Sequence, residues 1–355
     1  MSWKFWSNLL AVCGLSVLMS AALTAQKKTA ENYDGKTTAP ATILKPAAVQ
    51  PRALGQATLV SGPTACSGGN CYQLNIDCSE LQEPVNLSLR VAEPAAQAAP
   101  RGTIIFMSGG GGTEPWDNST DARRVISDLR ANGFRTVILQ WTGKGWLAAK
   151  QGWHSGQGRL ACRPATAARW IYDNLFTPSA TTAFCATGQS GGSSQVAYMI
   201  TQYGLSNILS AVVPTGGPPM GRVDLGCLKY DPANQSAWYN ENASSNTIDE
   251  GFGYSPGLGP CTSSNWSFRK RFQEASVAFG DWQYNYPNTM VWMLLGAQDT
   301  TPSVGQSQFY YQRMLDANTP FLHFDIVPNT AHGVQNSPTG ANLIRDVMLN
   351  ECRLR

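Results

Sequence analysis

The chain is short of histidine and of charge. Of its 355 residues, three are His and 14% are Asp, Glu, Lys or Arg. Three imidazoles, His154, His323 and His332, are too few for a multi-histidine metal site, and no Cys-x-x-Cys pair has zinc-ligand spacing. No metal and no organic cofactor is therefore expected. Lys and Arg outnumber Asp and Glu only 26 to 23 and are scattered along the chain, which excludes the dense basic face of a nucleic-acid binder. Beyond the N-terminus no segment is apolar and long enough to cross a bilayer. The hydrophobic share, 43%, is that of a globular protein. The length suits one large α/β domain with an insertion, or two ordinary domains.

The N-terminus carries the one long apolar run. Lys4 precedes Leu9 to Leu23, and small residues follow, with cleavage expected after Ala22 or Ala25. Residues 1–25 therefore read as a signal peptide, and the mature chain as secreted or periplasmic, without stable membrane insertion. The alternative is an uncleaved anchor over Phe5 to Ala25, about the 20 residues a span requires. Residues 26–56, rich in Ala, Thr, Lys and Pro, read as a flexible linker ahead of a folded domain at 57–355. Loss of Cys13 with the signal leaves eight of the nine cysteines, an even set suited to disulfides in an oxidising compartment. Local spacing suggests Cys66 with Cys71 and Cys227 with Cys261. Cys185, inside an apolar strand, is open either to pairing or to a place as a buried free thiol.

Two alternating segments, Tyr72 to Cys78 and Val85 to Val91, predict an antiparallel pair at a sheet edge. The pattern then becomes apolar strand, loop, amphipathic helix, repeated. Strands are expected at Thr103 to Met107, Thr136 to Trp141, Thr182 to Thr187, Ile208 to Val213, Met290 to Leu295 and Phe321 to Val327. Helices are expected at Asp121 to Ala131, Ala165 to Leu175, Ser193 to Tyr203, Pro302 to Leu315 and Thr339 to Leu349. Such alternation implies an α/β fold with a mostly parallel central sheet covered on both faces. An interruption at about 216–288 holds twelve aromatics, among them Trp238, Phe252, Phe268 and Trp282. It is too long for a plain loop and reads as a cap over the sheet's carboxyl edge. Most of its aromatics should form the cap's own core, with two or three lining a pocket.

The strand at Thr182 to Thr187 runs into Gly188-Gln189-Ser190-Gly191-Gly192, a G-x-S-x-G sequence followed by a helix. That context exposes a serine at a sharp turn and sets the amide of Gly191 beside it. A second match, around Ser255, follows no strand, and Pro256 has no N–H to offer, so it reads as a turn. Serine becomes a nucleophile only beside a base whose tautomer is fixed by a carboxylate. Asp299 stands just past the Met290 to Leu295 strand and His332 in the loop after the last strand, so both belong to the edge of the sheet that carries Ser190. His323, mid-strand, reads as a packed histidine. His154, in a Gly- and Trp-rich loop, is a candidate substrate contact. Ser108-Gly109-Gly110-Gly111-Gly112 follows the Thr103 to Met107 strand and lacks the lysine and acid of nucleotide-binding loops. Its amides suit an oxyanion, with Gly110 and Gly191 as donors and Gly109 and Gly111 as further substrate contacts.

The order glycine loop, G-x-S-x-G serine, Asp299, His332 resembles the α/β-hydrolase superfamily from about Gly102 to the C-terminus. By that resemblance the SGGGG loop takes the place of the HGGG-type oxyanion loop, with Ser108 where the leading histidine stands. The resemblance implies a serine hydrolase acting on a small-molecule or polymer-linked carboxylic ester through an acyl-enzyme. A peptidase or amidase with the same residues, and a non-catalytic binding protein on the same fold, are the alternatives.

Overall fold

The computed structural model describes residues 49–95, 99–228 and 243–355. The expected signal peptide, the linker up to residue 48, and Tyr230, Trp238 and Tyr239 lie outside the described residues. The strands are β1 (Gln56–Cys66), β2 (Gly69–Asp77), β3 (Val85–Ala92), β4 (Gly102–Met107), β5 (Phe134–Trp141), β6 (Ala183–Gln189), β7 (Ala211–Thr215), β8 (Met290–Gly296) and β9 (Leu322–Val327). They form a single sheet in the order β1-β2-β3-β5-β4-β6-β7-β8-β9. β1, β2 and β3 join antiparallel, β3 meets β5 antiparallel, and every pairing from β5 through β9 is parallel.

Side-chain alternation along the strands divides the core in two. On one face Ile104 and Phe106 of β4, Cys185 of β6 and Leu294 of β8 pack under α1 (Thr120–Ala131) and α5 (Pro338–Glu351). On the other, Ile105, Met107, Ala186 and Met293 pack under α2 (Cys162–Asn174), α3 (Gly191–Thr201) and α4 (Ser303–Asp316). Both α1 and α5 start where a serine caps them: Ser119 Oγ accepts from Ala122 N at 3.1 Å and Ser337 Oγ from Gly340 N at 3.0 Å. Pro338 then occupies the first turn of α5, where its missing N–H costs nothing.

The structure departs from the sequence reading in several places. β1 was not expected, because an edge strand exposed along most of its length shows no inside-outside alternation. The domain begins ahead of residue 57: Arg52 N donates to Gln202 O at 2.7 Å and Gly55 N to Thr166 Oγ1 at 2.8 Å. β7 starts three residues later than expected, since Leu205–Asn207 is a 3-10 turn. His323 lies in β9 but is exposed rather than packed inside, its ring stacked on Trp292 at 4.3 Å. Cys185 is not a free thiol: it bonds Cys352, 167 residues away, tying the central strand to the end of α5. Cys66–Cys71 and Cys227–Cys261 pair as expected, and Cys78–Cys162 fastens β2 to α2.

The segment between β7 and β8 builds its own small core around short helices at Val223–Cys227, Ala243–Gly251 and Arg269–Glu274. Phe252 and Phe272 lie 5.4 Å apart, and Phe268 meets them at 6.2 and 6.0 Å. The buried Asp249 carboxylate accepts from Cys261 N at 2.7 Å and Thr262 N at 2.9 Å, holding the loop that carries the Cys227–Cys261 bridge. Among the described residues no helix is long and apolar enough to cross a membrane.

Because Cys185–Cys352 closes so long a loop, its loss releases much denatured-state freedom. Cys352→Ser should lower the unfolding free energy by about 2–5 kcal/mol in denaturant titration. A loss under about 0.5 kcal/mol would show that the bridge does not constrain the chain.

Candidate functional site

The chain passes from β4 to β5 on one side and returns to β6 on the other, so the strand order reverses between β4 and β6. The carboxyl ends of such strands leave a crevice for ligands. The loops after β4, β6, β8 and β9 all leave from this edge, and they carry Gly110, Ser190, Asp299 and His332.

Ser190 joins β6 to α3 with φ 53° and ψ −114°, a conformation costing a non-glycine residue about 1–3 kcal/mol. Its N–H donates to Thr215 O at 2.8 Å, which anchors the turn to β7. The turn fits because glycine follows it: a Cβ on Gly191 would overlap Gly110 O and lie 2.7 Å from Gly110 N. The amides of Gly110 and Gly191 are therefore neighbours. As the first residue of α3, Gly191 has an N–H with no acceptor inside the helix.

The glycine loop is a tight turn closed by Gly112 N donating to Gly109 O at 2.9 Å. Gly110, at its second position, has φ +57°, which favours glycine. Trp146, fully buried, grips the loop twice: Nε1 donates to Gly110 O at 3.1 Å and the backbone N–H to Gly111 O at 2.9 Å. Each peptide's carbonyl and the next residue's N–H point oppositely, so this grip turns the Gly111 and Gly112 amides away from Trp146. Arg163 supports it from below, donating to Trp146 O at 3.0 Å, Glu83 O at 2.8 Å and Ala148 O. Burial pushes its guanidinium pKa down to about 10, against the pull of Glu83. The role of Trp146 left no trace in the sequence, where it is one tryptophan in a Gly-rich stretch.

Asp299 and His332 are brought together by stitching between the β8 and β9 loops. Ala297 N donates to Val327 O at 2.9 Å and Gln298 N to Thr330 O at 2.8 Å. His332 Nδ1 then lies 2.8 Å from Asp299 Oδ2, with the carboxylate wholly buried and the imidazole 30% exposed. Thr301 completes the cluster, its N–H donating to Asp299 Oδ1 at 2.9 Å and its Oγ1 lying 3.2 Å from His332 Nδ1. The Asp-x-Thr spacing is that of an Asx turn, the signal that could have found Thr301. Burial raises the Asp299 pKa, but the hydrogen bonds from His332 and Thr301 outweigh it and hold the carboxyl below its ordinary value.

Ser190, Gly110, Gly191 and His332 line one cavity of about 130 Å³, together with Thr301, Ser303 and, from the insertion, Pro219, Met220, Ser244, Thr247 and Ile248. Gly109 and Gly111 are not in its wall, although Gly109 backs onto Ser190, its built Cβ falling 3.4 Å from Ser190 Cβ. His154 lines a different cavity. Among the described residues no aromatic side chain lines the cavity at Ser190, and of the insertion's aromatics Phe252 lines the cavity at His154 instead. Within the insertion Phe252, Phe268 and Phe272 pack against one another, and Tyr284 and Tyr286 are buried. Ser255 lies in an exposed stretch outside the cavity. Among the described residues no group of His, Cys, Asp or Glu could hold a metal ion.

No protein-family model matches the chain, and no curated sequence does. Solved structures match by shape. Est1E from Butyrivibrio proteoclasticus superposes with TM-score 0.50 at 13% identity, covering 79% of this chain and 98% of its own. A highly thermostable carboxyl esterase from Bacillus coagulans gives 0.50 and 13%, over 79% and 96%. Brefeldin A esterase, a bacterial homologue of human hormone-sensitive lipase, gives 0.50 and 13%, over 94% and 84%. The fold is that of the α/β-hydrolases. At such identities the likeness is one of fold.

Asp299 also predicts a pH dependence. A carboxyl pKa held below its unfolded value of about 3.9 stabilises the fold fully above that pH and loses the contribution as pH falls through the folded value. Asp299→Asn should thus be less stable than wild type near neutrality, with the gap closing below about pH 4 in urea titrations. A gap independent of pH would remove the carboxylate from this account.

Proposed function

We propose that the protein is a serine hydrolase of carboxylic esters, exported and oxidised to its disulfide-bonded form outside the cytoplasm. The 2.8 Å contact between His332 Nδ1 and Asp299, in a cavity shared with Ser190, carries this reading. With Nδ1–H donated to the carboxylate, Nε2 of the neutral imidazole keeps its lone pair for a proton. Ser190 Oγ attacks the acyl carbon as His332 takes its proton. The tetrahedral oxyanion is held by the amides of Gly110 and Gly191, and His332 returns the proton to the departing alkoxide. Water, activated by His332, then releases the acid and frees Ser190. Asp299 orients the imidazole and balances its positive charge. Thr301 holds the second carboxylate oxygen and so fixes the plane in which Asp299 meets the ring.

The cavity volume limits the acyl group. About 130 Å³ is well below the roughly 300–1,000 Å³ of drug-sized sites, and Met220 and Ile248 line it with aliphatic side chains. Short acyl groups fit, and the alcohol portion extends outward. Four disulfides among the described residues and the apolar start of the sequence support export.

On p-nitrophenyl esters, acetate should be turned over better than octanoate, and Ser190→Ala should lower kcat by about 10⁴-fold or more. Wild-type turnover in Ser190→Ala would sink the assignment. Trp146→Phe keeps the ring in place but deletes the Nε1 bond to Gly110 O, so kcat should fall about tenfold with KM little changed. An unchanged kcat would mean that the loop holds its shape without the indole.

A further inference from the structure

The cavity that His154 lines is larger than the one at Ser190, about 340 Å³, and its walls are strongly basic. Arg52, Arg159, Lys270 and Arg271 surround it with Glu274 as the single anion. This excess of three positive charges equals the formal net charge of the whole chain. Among the described residues none of the five makes an ion pair. Elsewhere arginines do: Arg90 with Asp117, Arg135 with Glu93, Arg222 with Asp224 and Arg345 with Asp128. The cations come from three separated parts of the chain, so their convergence is a product of folding.

Two of them are held in place without being neutralised. Arg52 Nε donates to Gln202 Oε1 at 3.2 Å while its guanidinium lies 5.1 Å over Trp282, and Arg271 lies 5.4 Å over Phe268. Arg159 and Lys270 are exposed. His154 adds a second, independent observation. It has φ +51° at a non-glycine residue, a conformation that persists only where its surroundings impose it. Its ring stacks on Tyr254 at 5.1 Å and meets Phe268 edge-on at 5.6 Å, and its Nδ1 is buried with no hydrogen-bond partner. Trp153, next in the wall, is 41% exposed.

We propose that this cavity binds an acidic oligosaccharide, separately from the chemistry at Ser190. Guanidinium groups match the planar carboxylate of a uronate, and unpaired cations on several sides suit a ligand bearing more than one. The volume lies in the range of small-molecule sites, roughly 300–1,000 Å³, and exceeds what a lone inorganic anion fills. Polar walls beside the partly exposed Trp153, over whose ring Lys150 Nζ lies at 5.2 Å, suit a hydroxylated ring.

Isothermal titration of the purified protein with trigalacturonate, neutral maltotriose and inorganic phosphate tests this, using wild type, Arg159→Gln/Lys270→Gln and Ser190→Ala. Both cations are exposed and lie outside the Ser190 cavity, so the double variant should keep the wild-type melting profile and p-nitrophenyl acetate turnover. Trigalacturonate should bind wild type and Ser190→Ala equally, which separates this site from the catalytic reading. Its affinity should fall about tenfold or more in the double variant, and severalfold on raising salt from about 50 to about 500 mM. Absence of trigalacturonate binding, equal affinity for maltotriose, phosphate binding as tightly as trigalacturonate, or an unaffected double variant would each overturn the proposal.

Discussion

The turn at Ser190 is the constraint around which the sheet edge is arranged. β6 is buried along its whole length, and α3 begins immediately after it, so the chain must reverse within one residue. That residue is held in a left-handed conformation and presents its side chain outward from the end of a rigid strand. Such a turn survives only if nothing crowds it. The neighbouring loop after β4 therefore comes in as bare backbone, glycine against glycine, with Gly110 and Gly191 in contact. A glycine loop has no side chains to fix its own shape, and Trp146 supplies that order from outside, itself seated on the buried Arg163. One strained turn thus explains a glycine run, a buried indole and a buried cation.

The other half of the site depends on a different device. Asp299 and His332 lie in successive loops of parallel neighbours, and backbone hydrogen bonds between those loops fix their spacing before any side-chain contact forms. The 2.8 Å bond between them rests on this backbone frame. The insertion supplies the remaining wall. Phe252, Phe268 and Phe272 hold the segment together, and among the described residues it contributes short and aliphatic side chains to the wall at Ser190. That division of labour makes the proposed ester site small, while the broader, basic cavity forms at another face of the same insertion.

Much of this was legible residue by residue. The alternation of apolar strand and amphipathic helix located β4 through β9 within a few residues, because period 2 and period 3.6 are local properties of burial. Ser190 was separable from Ser255 because a strand precedes one and a proline follows the other. Asp299 and His332 were legible because each follows an apolar strand that the sheet runs in parallel. Thr301 was within reach through its Asx-turn spacing. β1 was hidden, since an exposed edge carries no burial pattern. His323 was misjudged for a related reason: β9 is the other edge strand, so a mid-strand position there opens to solvent.

The sequence by itself determined the α/β alternation, the sharp turn at Ser190, and which loops carry Asp299 and His332, because turn chemistry and hydrophobic periodicity act over a few neighbouring residues. Tertiary structure alone decided what depends on distant segments meeting. Cys185 finds Cys352 across 167 residues. Trp146 reaches Gly110, and cations spread from Arg52 to Arg271 gather around His154. Charges that look evenly dispersed along a chain become concentrated when the sheet order and its crossovers bring their segments to one place, and no local pattern records that outcome.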